Sequence, residues 1–333
     1  MIVLAAVPTL FAADGSVDLA ANRALYAHLA GLVDGLFVAG TTGEFPALSD
    51  DERLALVSLA LDVAGPDRVI AHVGAASARQ AARLAVAAVE MGVRRIAAIT
   101  PFYLPARPDE LTRHYLTVHD AVGSVEEFYA YIFAERTGVP VPPPLFATVA
   151  EAAGLSGAKV SGSSAGALGE YVAAAPGLRF FSGDDSNPAR SQALGCSGVV
   201  SGRSAAYPEV FAAVLRALRD GSAVGSDGLA GSDGLAGSDG LAGSDGLAGS
   251  DGLAGSDGLA GRGADGRTAA DAQEALDRIV ALGASIGRLK HAIMLRGFGT
   301  DVARMTVDPP DDATAAAIAA QVAAVSGATP APR

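Results

Sequence analysis

The chain has 333 residues, half of them hydrophobic, a formal net charge of −12 and no tryptophan. That acidity argues against a nucleic-acid partner, which needs a basic face to neutralise phosphates. The length allows one large or two modest domains with a sizeable core, and the single cysteine, Cys196, can form no internal disulfide, which fits a reducing compartment.

The opening run M-I-V-L-A-A-V reads as a buried strand. It has no basic n-region, and Pro8 follows it, unlike a secretory leader. No uninterrupted run approaches the ~18 apolar residues of a membrane span, so a cytoplasmic protein without membrane contact is expected. Further apolar runs continue the series, and the expected strands are 2–7, 36–39, 69–73, 96–100, 128–133, 155–160, 179–182 and 198–201. Most are apolar on both faces, as parallel strands covered on both sides must be. Helical runs alternate with them at 18–32, 77–91, 110–122, 188–194 and 208–219, with weaker ones at 145–153 and 165–174. Another begins after Ser49, where Glu52 three residues on completes a capping box.

Strand–helix alternation repeated eight times predicts an α/β protein of the (β/α)8 TIM-barrel type. A doubly wound sheet would want a Gly-rich phosphate turn after its first strand, and here that strand runs into Pro8-Thr9-Leu10-Phe11. Composition changes abruptly after Arg219. Residues 225–260 are six copies of G-S-D-G-L-A. One leucine per six residues cannot build a core, so 221–266 reads as a disordered insertion. A calcium-binding repeat is disfavoured, because such repeats have a longer period with fixed large apolar positions. Helical periodicity resumes at 268–282, 286–296 and 313–325. The expected organisation is a barrel over 1–220, the insertion, and a small C-terminal helical domain over 267–333.

In a barrel the C-terminal strand ends carry the chemistry. The second strand ends in G-T-T-G-E (40–44), the fourth in T-P-F-Y (100–103), and the fifth holds Tyr129 and Tyr131 before E-R-T-G (135–138). The sixth ends at Lys159 and the seventh in S-G-D-D (182–185). The chain has only two lysines, Lys159 and Lys290, among 24 basic residues. A sequence that uses arginine almost everywhere has kept a lysine in an apolar strand. Lysine can lose its proton when desolvated and arginine cannot, and a neutral amine adds to ketones. A tyrosine one strand away can shuttle the protons of such an addition, and an arginine can hold a carboxylate bidentately. Tyr129 shares parity with Tyr131 but sits deeper and reads as core. His72 falls in the third strand and the other histidines on helices, without metal-ligand spacing, so no metal site is expected.

Together these motifs resemble the dihydrodipicolinate synthase / N-acetylneuraminate lyase family of class I pyruvate-dependent aldolases. The likeness covers nearly the whole chain apart from the repeat. G-T-T-G-E resembles the family's pyruvate-carboxylate loop, Y-I-F-A-E-R-T-G (131–138) its tyrosine-bearing Y-N-V-P-x-R-T-G, and G-A-K (157–159) the segment with the Schiff-base lysine. The resemblance implies a lyase or synthase acting on pyruvate and an aldehyde without a cofactor, in a homo-oligomer, dimer or tetramer. It implies Lys159, Tyr131, Thr42 and Tyr103 as catalytic residues, Thr42 joining a proton relay with Tyr131 and Tyr103 completing it from a neighbouring subunit. Thr41, Thr42, Arg136, Gly183 and Val200 would bind substrate.

Departures from the pattern bear on the acceptor. Ile132-Phe133-Ala134-Glu135 replaces the usual Asn-Val-Pro wall, and Gly202-Arg203-Ser204-Ala205 after the eighth strand is closer to 2-keto-3-deoxy-sugar-acid aldolases. The primary expectation is a 4-hydroxy-tetrahydrodipicolinate synthase-like enzyme without lysine feedback, the alternative a 2-keto-3-deoxygluconate-type aldolase. Two readings of other classes are a pyridoxal-phosphate barrel enzyme, which would need a phosphate cradle, and a non-catalytic pyruvate-binding relative.

Overall fold

Short apolar runs bounded by glycine, proline and polar turns form the strands β1 (Ile2–Ala6), β2 (Gly35–Val38), β3 (Val69–His72), β4 (Arg95–Ile99), β5 (Glu127–Ile132), β6 (Gly157–Val160), β7 (Arg179–Ser182) and β8 (Gly198–Ser201) in a computed structural model. The structure describes residues 1–221 and 268–326; the repeat and its expected disorder lie outside the described residues. The eight strands pair in sequence order, all parallel, and β8 closes on β1. All eight expected strands are present, shifted by at most two residues at their ends, and the fold is the expected (β/α)8 barrel.

Helices cover the barrel: α1 (Leu19–Ala30), α2 (Asp50–Ala64), α3 (Ala78–Glu90), α4 (Pro108–Val122), α5 (Ala134–Thr137), α6 (Pro143–Ala153), α7 (Leu168–Ala174), α8 (Pro188–Ala193), α9 (Arg203–Ala206) and α10 (Pro208–Arg219). After the repeat come α11 (Ala269–Ala281), α12 (Ile286–Leu295) and α13 (Asp312–Ser326). The capping box of α2 forms as read, with the Ser49 hydroxyl accepting from Glu52 N and the Glu52 carboxylate accepting from Ser49 N. The weak helix expected at 165–174 is present as α7 from Leu168, preceded by a 3-10 segment, Gly162–Ala167. The segment E-R-T after the fifth strand lies in the one-turn helix α5.

Strand alternation divides the interior. On β1, Val3 and Ala5 join the apolar layer under the helices, and Leu4 and Ala6 face the lumen. On β5, Phe128, Ala130 and Ile132 pack outward, leaving Tyr129 and Tyr131 inside. On β6, Ala158 and Val160 belong to the outer layer, so the period of two turns Lys159 inward. The outer layer continues without a break into the C-terminal helices through Leu276, Ile279, Leu289, Ile293 and Ile318. Each such side chain stabilises the fold by roughly 1.5–3 kcal/mol, so these helices and the barrel share one core.

Candidate active site

Lys159 is 6% exposed and lies in register with Tyr131 on one side and Phe181 on the other. Its Nζ is 4.0 Å from the centroid of the Tyr131 ring and 4.8 Å from that of Phe37. None of the ion pairs among the described residues involves it. The surrounding lumen is apolar and aromatic, with Phe37 edge-on to Tyr131 and Phe181 edge-on to Tyr129. An amine here is held without a carboxylate in contact, beside a phenol.

The Tyr131 hydroxyl is 3.1 Å from Thr41 Oγ1. This corrects the expectation for Thr42: the threonine that meets Tyr131 is the first of the pair. Thr42 instead turns toward β8, where a Cβ on Gly202 would come within 3.4 Å of its Oγ1. Ala39, at φ 55°, ends the extended backbone of β2 ahead of this loop. The loop is tight: a Cβ on Gly40 would come within 2.7 Å of the Phe37 ring that borders Lys159.

His72 was placed in β3 by sequence but given no part in the site. It is buried against Phe45 and Tyr131, with ring centroids at 4.6 and 5.9 Å. Its Nδ1 lies 2.8 Å from the carbonyl of Ala39, and its Nε2 accepts from Ile99 N at 3.2 Å. Burial, reinforced by the charges of Arg53 and Lys159, holds its pKa well below the usual imidazole value. It is a neutral ring with Nδ1–H donating, and it ties the end of β2 to the end of β4. Position alone could not distinguish this from a core histidine.

The remaining expected residues are dispersed around the rim. Tyr103 is 91% exposed with φ 79°, and Leu104 beside it is also exposed. Arg136 is exposed on α5, its guanidinium 5.7 Å over the Phe133 ring. Its neighbour Glu135 turns to the 3-10 segment and accepts from Ser163 N. Burial raises the Glu135 pKa, but its hydrogen bonds with Ser163 outweigh that and the net shift is downward. Gly183 donates its N–H to Val160 O at 2.7 Å, so that group is not free for a ligand. A Cβ there would meet Ser161 Oγ at 1.9 Å, which is why the position is glycine. Val200 lines the lumen beside Leu4. Tyr129 is core as expected, donating to Glu127 at 2.6 Å. Asp185 of the S-G-D-D turn is buried and paired with both Arg203 and the Ser201 hydroxyl.

An inward lysine beside a tyrosine–threonine hydroxyl pair, at the C-terminal end of a closed barrel, is a site for amine addition to a carbonyl. The Dihydrodipicolinate synthetase family model matches residues 2–227, and the chain belongs to that family. It is a lyase of the pyruvate-dependent class I aldolase type. An uncharacterized DapA-like lyase of Halobacterium salinarum is 37% identical over 218 residues, 65% of this chain and 71% of the relative. A 4-hydroxy-tetrahydrodipicolinate synthase of Kineococcus radiotolerans is 37% identical over 226 residues, 67% of this chain and 72% of the relative. Among solved structures, the 4-hydroxy-tetrahydrodipicolinate synthase of Methylacidiphilum fumariolicum SolV superposes with a TM-score of 0.77 at 20% identity, covering 98% of this chain and 96% of that one. A prophage protein of the dihydrodipicolinic acid synthase family from E. coli K12, in complex with pyruvate, gives a TM-score of 0.75 at 25% identity, covering 97% of this chain and 98% of that one.

Proposed function

We propose that Lys159 forms a Schiff base with pyruvate and that the resulting enamine is joined to, or released from, an aldehyde. The observation that carries this is the Lys159 amine, inward and buried, 4.0 Å from the ring of Tyr131, whose hydroxyl meets Thr41. The neutral amine adds to the C2 carbonyl of pyruvate, giving a carbinolamine. Tyr131 protonates the departing hydroxyl, which leaves as water, and the imine forms. Loss of a C3 proton gives the enamine, whose C3 attacks the aldehyde carbon, and hydrolysis of the second imine restores the lysine. Thr41 relays protons to and from Tyr131. The glycine-rich turn 40–43 presents backbone N–H groups to the pyruvate carboxylate. Tyr103, exposed on a rim loop, fits a role in a second copy of the chain, which makes a homo-oligomer part of the reading.

The acceptor favoured here carries its own carboxylate, as in a 4-hydroxy-tetrahydrodipicolinate synthase-like reaction. Arg136 supports this, because Glu135 beside it is drawn off by Ser163 and no ion pair among the described residues takes the guanidinium. The second reading, a 2-keto-3-deoxygluconate-type aldolase, draws on Arg203, which stands at the β8 end paired with Asp185.

Borohydride with pyruvate should trap an adduct on Lys159, and Lys159→Arg should abolish it because guanidinium stays protonated. An adduct on Lys290, or none, overturns the mechanism. Condensation of pyruvate with aspartate semialdehyde, assayed against cleavage of 2-keto-3-deoxygluconate, then separates the two acceptors. Arg136→Ala should lower kcat/KM of the condensation by at least about tenfold, near 1.4 kcal/mol. A change under about twofold removes the support for a carboxylate-bearing acceptor.

A further inference from the structure

The loop Ala39–Glu44 has a non-glycine residue in the left-handed region at each end, Ala39 at φ 55° and Glu44 at φ 56°. Side chains rarely adopt such angles unless the surroundings impose them. The first end is held by His72, through the Ala39 carbonyl. The middle is held by Thr9, whose buried hydroxyl donates to Gly43 O at 2.7 Å. The last end is held from the far part of the chain. Glu44 is fully buried, and its Oε2 accepts from both Arg304 N and Met305 N at 2.8 Å. Its Oε1 pairs with Lys290, itself fully buried, which also donates to Val302 O at 2.7 Å and lies 4.3 Å from the Phe11 ring centroid.

A buried carboxylate without a cation would be costly, and one with good partners is fixed in place. The other lysine of the chain is therefore not a spare nucleophile. Its amine is committed to Glu44, and it stands on α12, outside residues 2–227 where the family model matches.

We propose that Lys290, with Glu44 and Thr9, positions the 40–44 loop so that its N–H groups and Thr41 meet the pyruvate carboxylate, making the C-terminal segment part of the substrate site. This rests on the pyruvate reading of Lys159. None of the three residues touches substrate in it; they act through the loop, on binding of the ketoacid through its N–H groups and on the proton relay through Thr41.

The test is the pyruvate dependence of borohydride trapping on the full chain, measured in wild type, Lys290→Met and Thr9→Val, with thermal melting of each. The wild type must trap pyruvate saturably on Lys159; if it does not, the function reading fails and this inference with it. Given that, Lys290→Met should raise half-saturating pyruvate at least about tenfold, with a loss of rate at saturation no greater than the roughly 10²-fold expected of Thr41→Val. Glu44→Gln combined with Lys290→Met removes the unpaired charge but keeps an acceptor for the two N–H groups, and should recover most of the loss. Thr9→Val, which removes one neutral hydrogen bond, should raise half-saturation about three- to tenfold. A folded Lys290→Met with half-saturation within twofold of wild type overturns the proposal. If Lys290→Met does not fold, the same result from Thr9→Val overturns it.

Discussion

Thr41 and Thr42 carry the same hydroxyl and differ in where the loop after β2 turns them. It is Thr41 that comes within 3.1 Å of Tyr131, while Thr42 is carried toward Gly202. If the tyrosine moves protons through that contact, Thr41→Val should lower kcat by about 10²-fold, the low end of general acid–base contributions. Thr42→Val should cost under about tenfold. Steady-state kinetics on the two variants check this, and equal losses would remove Thr41 from the relay. Lys159 was legible because lysine is so rare in this sequence and because strand parity reaches it on β6. The choice between Thr41 and Thr42 was not, because G-T-T offers two adjacent hydroxyls in a loop beyond β2 and no local pattern says which of them meets Tyr131. The Glu44–Lys290 pair was hidden for a different reason: its members stand far apart in the chain, and no local pattern joins them.

Elements were legible where periodicity had room to repeat. The strands and the long helices emerged within a few residues of their ends, and the α2 cap was readable because its two partners are three residues apart. One-turn helices such as α5 and α9 have no period to read. The α2 cap also has a partner that the local motif did not announce. Glu52 accepts both guanidinium branches of Arg304, at 2.7 and 2.8 Å, while still capping Ser49. The Arg304 hydrogen bond draws the Glu52 pKa down from 4.5 to about 2, against a smaller burial effect. Folding thus lowers this pKa, so its contribution is fully present above the unfolded value near 4.5. It is lost as pH falls from there toward 2. Both side chains are about a quarter exposed, and solvent screening holds the expected cost of Glu52→Gln near pH 7 to about 1–2 kcal/mol. Urea unfolding of wild type and variant at a series of pH values should show the gap narrowing between about pH 4.5 and 3. A gap that stays constant over that range would mean the charge on Glu52 is not what the pair stabilises.

For the whole molecule, the question is what the chain between α10 and α11 must do. Its two flanking helices belong to one apolar core, through Val210, Phe211 and Val214 on α10 and Ala272, Leu276 and Ile279 on α11. Deleting residues 225–260 leaves 222–224 and 261–267 to join Gly221 to Thr268. About ten residues reach some 30 Å when extended, ample for joining neighbouring helices. The deletion should therefore shift the melting temperature by no more than about 2–4 °C, the scale of 1 kcal/mol in a domain of this size, with pyruvate trapping on Lys159 unchanged. Truncation after Gly221 should behave oppositely. It removes Lys290, Arg304 and Met305, leaving the fully buried Glu44 carboxylate without its cation or its N–H donors, and uncovers the apolar surface under α11 and α12. Soluble expression, melting and borohydride trapping of the two shortened chains, side by side, give the comparison. If the internal deletion melted as low as the truncation, the repeat itself would have to pack against the barrel. If the truncated chain still trapped pyruvate at wild-type half-saturation, the first 221 residues would hold the 40–44 loop unaided, and the covalent continuity across the repeat would have no bearing on the site.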